Sequence, residues 1–276
     1  MRRLDQRYEL LTRNEGRQPQ SRWRGVAARV KVRGIDAFQS SSELRSTHRE
    51  ELPAEYETWH LPITYWLVRI AVLTPIRRIW VARVTGLSNI PEKGGAVIAL
   101  NHQSYFDFLC FAAICPRRIH FLAAEKFFAR RSMWRFLMEA TGQVRVDRMS
   151  AEKSTAKDTV LARLRADRLI GIFPEGTRSN SATMMLPVFT GVANFALEAG
   201  VPVIPVGIQG AFEVFPRTRN TPLLKKIIQI HIGQPIIGAA VGPLADDSAQ
   251  QHMTRAVMQE IAKLSSRQFV GLRSQI

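Results

Sequence analysis

The sequence predicts an α/β fold in which a largely parallel, mixed sheet is flanked by helices and preceded by a membrane-interfacial helical segment. Short β-branched apolar runs end abruptly in polar residues, and segments with helical spacing separate these runs. Such alternation is typical of a mainly parallel sheet with crossover helices. The predicted strands are Ala96–Leu100, Ile119–Ala123, Val144–Val146, Leu169–Phe173, Val203–Ile208 and Ile227–Ile232.

Helices are predicted between these strands and after the last one. Their ranges are Ser104–Ile114, Phe127–Ala140, Ala151–Ala166, Gly191–Ala199 and Gln250–Leu264. Gly200 is placed to end one of them, because glycine adopts the left-handed conformation of a helix C-cap at little cost. No repeat or second core is visible, so we expect a basic tail (1–55), an interfacial segment (56–85), the α/β core (86–242) and a C-terminal helix with its tail (243–276).

Composition restricts the possible partners and the compartment. The 276 residues carry a formal net charge of +16 at pH 7, which favours anionic partners such as nucleic acid, an anionic membrane surface or phosphorylated substrates. Residues 1–55 have too little apolar character to offset the entropy of ordering, so we expect a largely disordered tail. Cys110 and Cys115 are expected to be small core residues in a reducing compartment, and no secretory signal is predicted.

The segment Trp59–Val84 combines apolar runs with tryptophans and arginines. Its apolar stretch is shorter than the ~20 residues of a spanning helix, and Arg69 interrupts it. Aromatic residues interleaved with arginines are typical of a helix that lies in the bilayer interface, here with a kink at Pro75. The alternative is a pair of core helices that cover the sheet.

The polar stretch Asn101–Asp107 follows the first predicted strand, at a strand-to-helix junction where sites of open α/β sheets are built. Two residues five positions apart on one helix are rotated by about 140° and do not meet. With His102 in the turn and Asp107 in the first helical turn, the carboxylate can orient one imidazole nitrogen and leave the other as a general base. A substrate hydroxyl would then be the nucleophile. Alternatively, Asp107 only completes a capping box with Ser104, and His102 is an ordinary loop residue.

A second polar stretch, Phe173–Ser179, also follows a predicted strand. Gly176 permits a sharp turn close to a ligand, while Thr177, Arg178 and Ser179 offer hydrogen-bond donors to a phosphate. The stretch is therefore a candidate anion-binding turn. It could equally be a solvated turn in which the glutamate and the arginine pair with each other.

Two further cations are weaker candidates for phosphate contacts. Arg148 lies just past the strand Val144–Val146, and Lys126 follows the strand Ile119–Ala123. The motifs of metal hydrolysis, nucleotide hydrolysis and dinucleotide redox chemistry are missing from the sequence. We therefore predict neither a metal nor a bound cofactor.

Together these stretches resemble the glycerolipid acyltransferase family typified by 1-acyl-sn-glycerol-3-phosphate acyltransferase. Four blocks of that family occur in order, Asn-His-x-x-x-x-Asp at 101–107, a glycine with an alternating run to Asp-Arg at 142–148, Phe-Pro-Glu-Gly-Thr-Arg-Ser at 173–179 and Val-Pro-Val-x-Pro-Val at 201–206. The resemblance covers about residues 60–240. One departure is Phe189, at a position where many relatives carry Lys or Arg.

The resemblance implies transfer of a fatty acyl group from acyl-CoA or acyl carrier protein to the free hydroxyl of a lysophospholipid, commonly 1-acyl-sn-glycerol-3-phosphate. It implies His102 as the base and Asp107 as its orienting partner. The substrate-binding residues that we predict are Lys126, Arg148, Glu175, Gly176, Thr177 and Arg178.

We therefore predict a peripheral or monotopic enzyme on the cytoplasmic face of the cell membrane, with no nucleic-acid partner. One alternative, which Phe189 keeps open, is the same acyl transfer to another lysolipid, an aminolipid or a glycolipid. The other is a non-catalytic basic protein that binds a membrane or nucleic acid. Such a protein would gather its basic residues on one face with stacking aromatics, whereas the aromatics here cluster in Trp59–Trp80.

Overall fold

The computed structural model describes residues 62–125, 128, 133–146, 153–238 and 247–273. The predicted basic tail lies outside these described residues, and so do Lys126 and Arg148. The strands of the described part are β1 (Val81–Thr85), β2 (Ala96–Leu100), β3 (Ile119–Ala124), β4 (Val144–Val146), β5 (Leu169–Ile172), β6 (Val203–Gln209) and β7 (Ile228–Ile232).

These strands form one sheet in the order β1-β7-β6-β2-β5-β3-β4. Every neighbouring pair is parallel except β6 and β7, which are antiparallel. The predicted mixed, largely parallel sheet is therefore confirmed. β1 is an addition to the predicted set of strands.

The α-helices of the described part are α1 (Pro62–Val68), α2 (Thr74–Trp80), α3 (Phe106–Ile114), α4 (Met133–Thr141), α5 (Lys153–Arg165), α6 (Gly191–Ala199), α7 (Ala211–Val214) and α8 (Asp247–Ser265). The predicted helices correspond to α3, α4, α5, α6 and α8, whereas the short α7 was not predicted. Gly200 ends α6 in the left-handed conformation, with φ 64° and ψ 34°, as predicted.

The sheet separates two apolar cores, which the alternation of side chains along β6 illustrates. Ile204, Val206 and Ile208 belong to the core that includes residues of α2 and α3. Val203 belongs to the opposite core, with residues of α5, α6 and α8. All five residues of β2 are fully buried, as expected for a parallel strand with both faces covered.

The cysteines lie in the first of these cores. Cys110 and Cys115 are both buried and unpaired, which confirms their prediction as small core residues. Burial raises the pKa of the Cys115 thiol to about 11 and raises that of Cys110 as well. Both thiols are therefore protonated at neutral pH.

The N-terminal helical segment packs against the sheet more closely than an interfacial helix would. Val81–Thr85, predicted as its end, is instead the strand β1, which pairs with β7 at the edge of the sheet. Trp80 is buried, and its indole N–H donates a 2.7 Å hydrogen bond to the carbonyl of Leu223. This face of the segment matches the alternative of core helices.

The other face of the same segment is apolar and exposed. Trp66, Leu67 and Ile70 are 56%, 60% and 65% exposed. A π-helical turn, Arg69–Leu73, joins α1 to α2 just before Pro75, whose ring nitrogen cannot donate a helical hydrogen bond. Within the described ranges, every helix is too short or too polar to cross a bilayer.

Gly207 in β6 allows α8 to pack directly on the sheet. A Cβ atom here would lie 2.3 Å from the carbonyl carbon of Leu264 and 2.4 Å from the amide nitrogen of Ser265. We therefore expect Gly207→Ala to push α8 from the sheet and lower the free energy of unfolding by about 1–3 kcal/mol, as measured by urea denaturation. Gly191→Ala is the matched control, because its Cβ would meet only the Phe195 ring at 3.9 Å. Equal losses in both variants would contradict this packing argument.

Candidate active site

The two polar stretches emerge side by side, because β2 and β5 are parallel neighbours whose carboxyl ends share one edge of the sheet. Backbone contacts join them at His102. Its N–H donates to Glu175 Oε1 at 2.8 Å, and its carbonyl accepts a hydrogen bond from the N–H of Ser179 at 2.8 Å. The turn after β5 therefore holds the backbone of His102 on both sides.

His102 and Asp107 are in direct contact, with 2.8 Å between Nδ1 and Oδ2. A carboxylate only accepts hydrogen bonds, so Nδ1 carries the hydrogen in this pair. Asp107 is fully buried, whereas His102 is partly exposed and lines a cavity. The ring also stacks on Phe173, with 4.0 Å between centroids. Nε2 is therefore the nitrogen left for a ligand.

The contact predicted with His102 and the contact predicted with Ser104 are made by the same oxygen of Asp107. Ser104 Oγ accepts a hydrogen bond from the N–H of Phe106 at 3.0 Å, and the N–H of Ser104 donates to Asp107 Oδ2 at 2.7 Å. Only one half of a capping box is present, because Ser104 Oγ accepts the N–H of Phe106 and not that of Asp107. The helix begins at Phe106, two residues later than predicted, with Tyr105 as its N-cap residue. The hydrogen bond from Ser104 holds the Asp107 carboxylate where it also reaches His102.

Asn101 is a structural member of the first polar stretch. Its side chain is fully buried, and its Nδ2 donates to the carbonyl of Ile208 at 2.9 Å. Its Oδ1 accepts the N–H of the same residue at 2.7 Å. An amide is required because the position needs both a donor and an acceptor. Asn101 thereby anchors the start of the His102 loop to β6.

Glu175 faces the protein interior and does not line the cavity. Its Oε2 accepts the N–H of Leu186 at 2.8 Å while its Oε1 accepts that of His102. Its ion-pair partner is Arg267, at 3.6 Å, so the alternative of a solvated pair with Arg178 is wrong. Burial raises the pKa of the Glu175 carboxyl, and the two backbone N–H donors and Arg267 oppose that rise.

Arg178 lines the cavity, and its guanidinium is partly buried. The group lies over the Tyr105 ring, with Cζ 3.4 Å from the centroid. Its Nη1 is buried and has no hydrogen-bond partner within the described part of the chain. Desolvation lowers the pKa of Arg178, and the nearby charge of Arg217 acts in the same direction. Both guanidiniums line the cavity, so an anion placed between them would gain charge-assisted hydrogen bonds.

Arg217 was not predicted from the sequence. It lies in the loop after α7, beyond the carboxyl end of β6, and belongs to none of the four family blocks. Its local sequence, Phe-Pro-Arg-Thr-Arg, is ordinary for a basic surface loop. Its position in the sequence shortly after β6 could have indicated a role, because β6 and β2 are parallel neighbours that end at the same edge of the sheet.

The cavity has a volume of about 580 Å³, within the usual range for small-molecule sites. Gly176, Thr177 and Arg178 line it, and the substrate contacts predicted for them stay predictions. Much of the remaining wall is apolar and includes Phe108, Phe121, Leu122, Met138, Val192 and Phe195. This combination suits a ligand with both a phosphate and an alkyl chain.

Phe189, the departure from the family pattern, also lines the cavity. The guanidinium of Arg273 lies over its ring, with 4.4 Å between Cζ and the centroid. A positive charge is therefore present beside position 189, although that residue is apolar. The roles predicted for Lys126 and Arg148 stay predictions, because both lie outside the described residues. Among the residues that are described, no three His, Cys, Asp or Glu side chains are grouped to hold a metal ion.

Residues 81–209, from β1 to the end of β6, match the family model described as Acyltransferase. This match spans 129 of the 276 residues and identifies this part of the chain as an acyltransferase domain. The chain is 27% identical over 186 residues to the 1-acyl-sn-glycerol-3-phosphate acyltransferase of Bacillus subtilis. The aligned region covers 67% of this chain and 88% of that enzyme. The human alpha enzyme of the same name is 25% identical over 207 residues, or 71% of this chain and 69% of that one.

A solved structure supports the same fold. The crystal structure of the 1-acyl-sn-glycerophosphate acyltransferase PlsC from Thermotoga maritima superposes with a TM-score of 0.57 and 23% identity, covering 72% of this chain and 82% of that one. The predicted family and the prediction of an acyltransferase enzyme are thus confirmed. The alternative of a non-catalytic basic protein loses its support.

Proposed function

We propose that the protein transfers a fatty acyl group from acyl-CoA or acyl carrier protein to the free hydroxyl of 1-acyl-sn-glycerol-3-phosphate, giving phosphatidic acid for phospholipid biosynthesis. The observation that carries this proposal is that His102, paired with Asp107, lines the same cavity as Arg178 and Arg217. A base and an anion site are thereby within reach of one ligand. The names of the relatives support the choice of acceptor.

In the proposed reaction, Nε2 of His102 takes the proton from the lipid hydroxyl while its oxygen attacks the thioester carbonyl carbon. The carbon–sulfur bond breaks, and the proton passes from His102 to the departing thiolate. The products are an ester and a free thiol. Asp107 holds the ring and stabilises the imidazolium that forms. A thioester is activated enough for direct attack, so the reaction needs no acyl-enzyme intermediate.

We propose that Arg178 and Arg217 bind the acceptor phosphate while the apolar wall of the cavity receives an acyl chain. A guanidinium pair suits a phosphate because its planar donors match the phosphate oxygens. Phe189 keeps a second acceptor class open, because an aromatic wall residue can equally contact the apolar part of another lysolipid, an aminolipid or a glycolipid.

We also propose that the protein works at the cytoplasmic face of the cell membrane as a peripheral or monotopic enzyme. The exposed residues Trp66, Leu67 and Ile70 form an apolar patch on α1 and its π-helical turn, and α1 packs against α4. Within α4, Phe136 is 57% exposed and Met138 lines the cavity. Lipid contact here would bring acyl chains close to the site, and the net charge of +16 would favour an anionic surface.

The base role predicts that His102→Ala abolishes acyl transfer. Purified protein is incubated with labelled oleoyl-CoA and a panel of lysolipid, aminolipid and glycolipid acceptors, and the products are separated by thin-layer chromatography. We expect lysophosphatidic acid to be the preferred acceptor. We expect His102→Ala to lose at least about 10²-fold in kcat, the scale of general base catalysis. His252→Ala, an exposed histidine on α8, is the matched control. Near-normal turnover by His102→Ala would remove the base role, and preference for another acceptor would select the alternative.

The anion site predicts a selective effect on acceptor binding. We expect Arg178→Gln and Arg217→Gln each to raise KM for lysophosphatidic acid about 10-fold, since a hydrogen bond to a charged group contributes roughly 1.5 kcal/mol. Steady-state kinetics with each substrate varied in turn provide the measurement. Arg219→Gln, an exposed arginine two positions further along the loop, is the control. An unchanged KM for the acceptor would exclude the arginine concerned from the phosphate site.

The apolar patch predicts membrane binding through α1. We expect the double variant Trp66→Ser/Ile70→Ser to lose most of its flotation with anionic phospholipid vesicles, because it removes two large apolar side chains from the contact. Ile237→Ser is the control, because Ile237 is also 57% exposed but follows Ile236, which packs against the opposite core. Retention of nucleic acid in preference to vesicles at physiological salt would count against this membrane role.

A further inference from the structure

The segment after α8, residues 267–273, runs along the loop that follows the β5 turn. We call it the C-terminal strap. The N–H of Gln268 donates to the carbonyl of Thr183 at 2.8 Å, and the N–H of Met185 donates to the carbonyl of Gln268 at 2.9 Å. Further on, the N–H of Arg273 donates to the carbonyl of Val188 at 2.8 Å. The strap is thus fixed to the site along its length, although it follows the family match that ends at residue 209.

Arg267, the first residue of the strap, extends inward beneath the site. Its side chain is 1% exposed. Its Nη2 donates to the carbonyl of Ser181 at 2.8 Å and to the carbonyl of Met184. Its Nη1 lies 3.6 Å from Glu175 Oε1, the oxygen that also accepts the N–H of His102. Among the described ion pairs, Arg267 is the cation that accompanies the buried Glu175.

Two buried carboxylates therefore hold His102 from different sides. Asp107 holds its ring through Nδ1, and Glu175 holds its backbone through the amide N–H. Burial without a counter-charge strongly disfavours an ionised carboxylate. Without Arg267, Glu175 would take up a proton or move, and one of its two backbone N–H partners would lose its acceptor.

We propose that Arg267 is a positioning residue for His102, because its guanidinium is the counter-charge of Glu175 and Glu175 fixes the backbone of the base. The C-terminal strap is accordingly part of the active site. The inference deepens the proposed function and rests on it for the catalytic role of His102.

The kinetic test compares Arg267→Met with Arg267→Lys. Because a small displacement of a catalytic group can cost up to about 10²-fold, we expect Arg267→Met to lose 10- to 100-fold in kcat. KM for both substrates stays within about twofold, since no substrate contact is removed. Arg267→Lys keeps a cation near Glu175 and recovers most of the loss. Arg255→Met, at an exposed arginine of α8, leaves kcat unchanged. All rates are expressed per folded molecule, from circular dichroism. An unchanged kcat in Arg267→Met, or no recovery in Arg267→Lys, would overturn the proposal.

A double-mutant cycle tests the route through Glu175. If Arg267 acts on His102 by way of Glu175, adding Arg267→Met to Glu175→Gln produces little further loss of kcat. Independent losses that multiply would show that Arg267 acts elsewhere, and the proposal would fail. Arg267→Gln, which also removes the charge, replaces Arg267→Met in the cycle if the latter does not fold.

Hydrogen–deuterium exchange gives a readout that does not depend on the substrate. We expect the amide of His102 to exchange faster in Arg267→Met than in the parent protein and in Arg255→Met. If the parent protein acylates none of the acceptors, the proposed function fails while this measurement still decides the role of Arg267. Faster exchange supports the positioning role, and unchanged exchange overturns it.

Discussion

One oxygen of the buried Asp107 carboxylate fixes the loop between β2 and α3. It accepts the backbone N–H groups of Gln103 and Ser104, each at 2.7 Å, and the Nδ1–H of His102 at 2.8 Å. Burying a charge is costly without hydrogen bonds, and these three donors compensate Oδ2, whereas Oδ1 has no partner among the described residues. The convergence turns the loop sharply at the end of the strand and leaves Nε2 as the ring nitrogen of His102 that does not contact Asp107. The carboxylate that lies in the first turn of the helix therefore also orients the His102 ring, which lines the cavity.

The second buried carboxylate, that of Glu175, has a different structural role. Glu175 binds the backbone of His102 and of Leu186, so it ties the β2 loop to the chain that follows the β5 turn. The two strands are already parallel neighbours, and this cross-connection fixes their loops relative to each other. A site held in this way is preorganised, because its position is set by buried hydrogen bonds and not by the ligand. The position of His102 thus depends on two contacts: Asp107 holds its ring, and Glu175 holds its backbone N–H.

Much of this arrangement could be predicted because it depends on local sequence. The runs Ala96–Leu100 and Leu169–Phe173 are apolar throughout, as buried parallel strands require, and the polar blocks that end them mark the carboxyl edge. The strand β1 could not be predicted in this way. It is short, directly continues a helix, and depends on pairing with β7, far along the chain. Local periodicity carries no information about such a partner.

The same reason explains the two missed arginines. Arg217 and Arg267 belong to no motif, and their neighbours are typical of exposed basic segments. Only the fold brings one into the cavity and the other beneath Glu175. The role of Glu175 could not be predicted either, because a glutamate and an arginine in the same turn suggest a local ion pair. Glu175 instead pairs with Arg267, which follows α8 and lies far from Glu175 in the sequence.

The positive charge at the cavity is consistent with the proposed binding of a phosphorylated acceptor. Arg178 and Arg217 lie near each other at the cavity with one guanidinium nitrogen unused, an arrangement that opposes the addition of further positive charge. Under the proposed function, the acceptor brings a phosphate of charge about −1.5 to −2, which neutralises the two arginines. A ligand without an anionic group would leave that positive charge uncompensated. The charge at this end of the cavity therefore favours an acceptor that carries a phosphate over a neutral one.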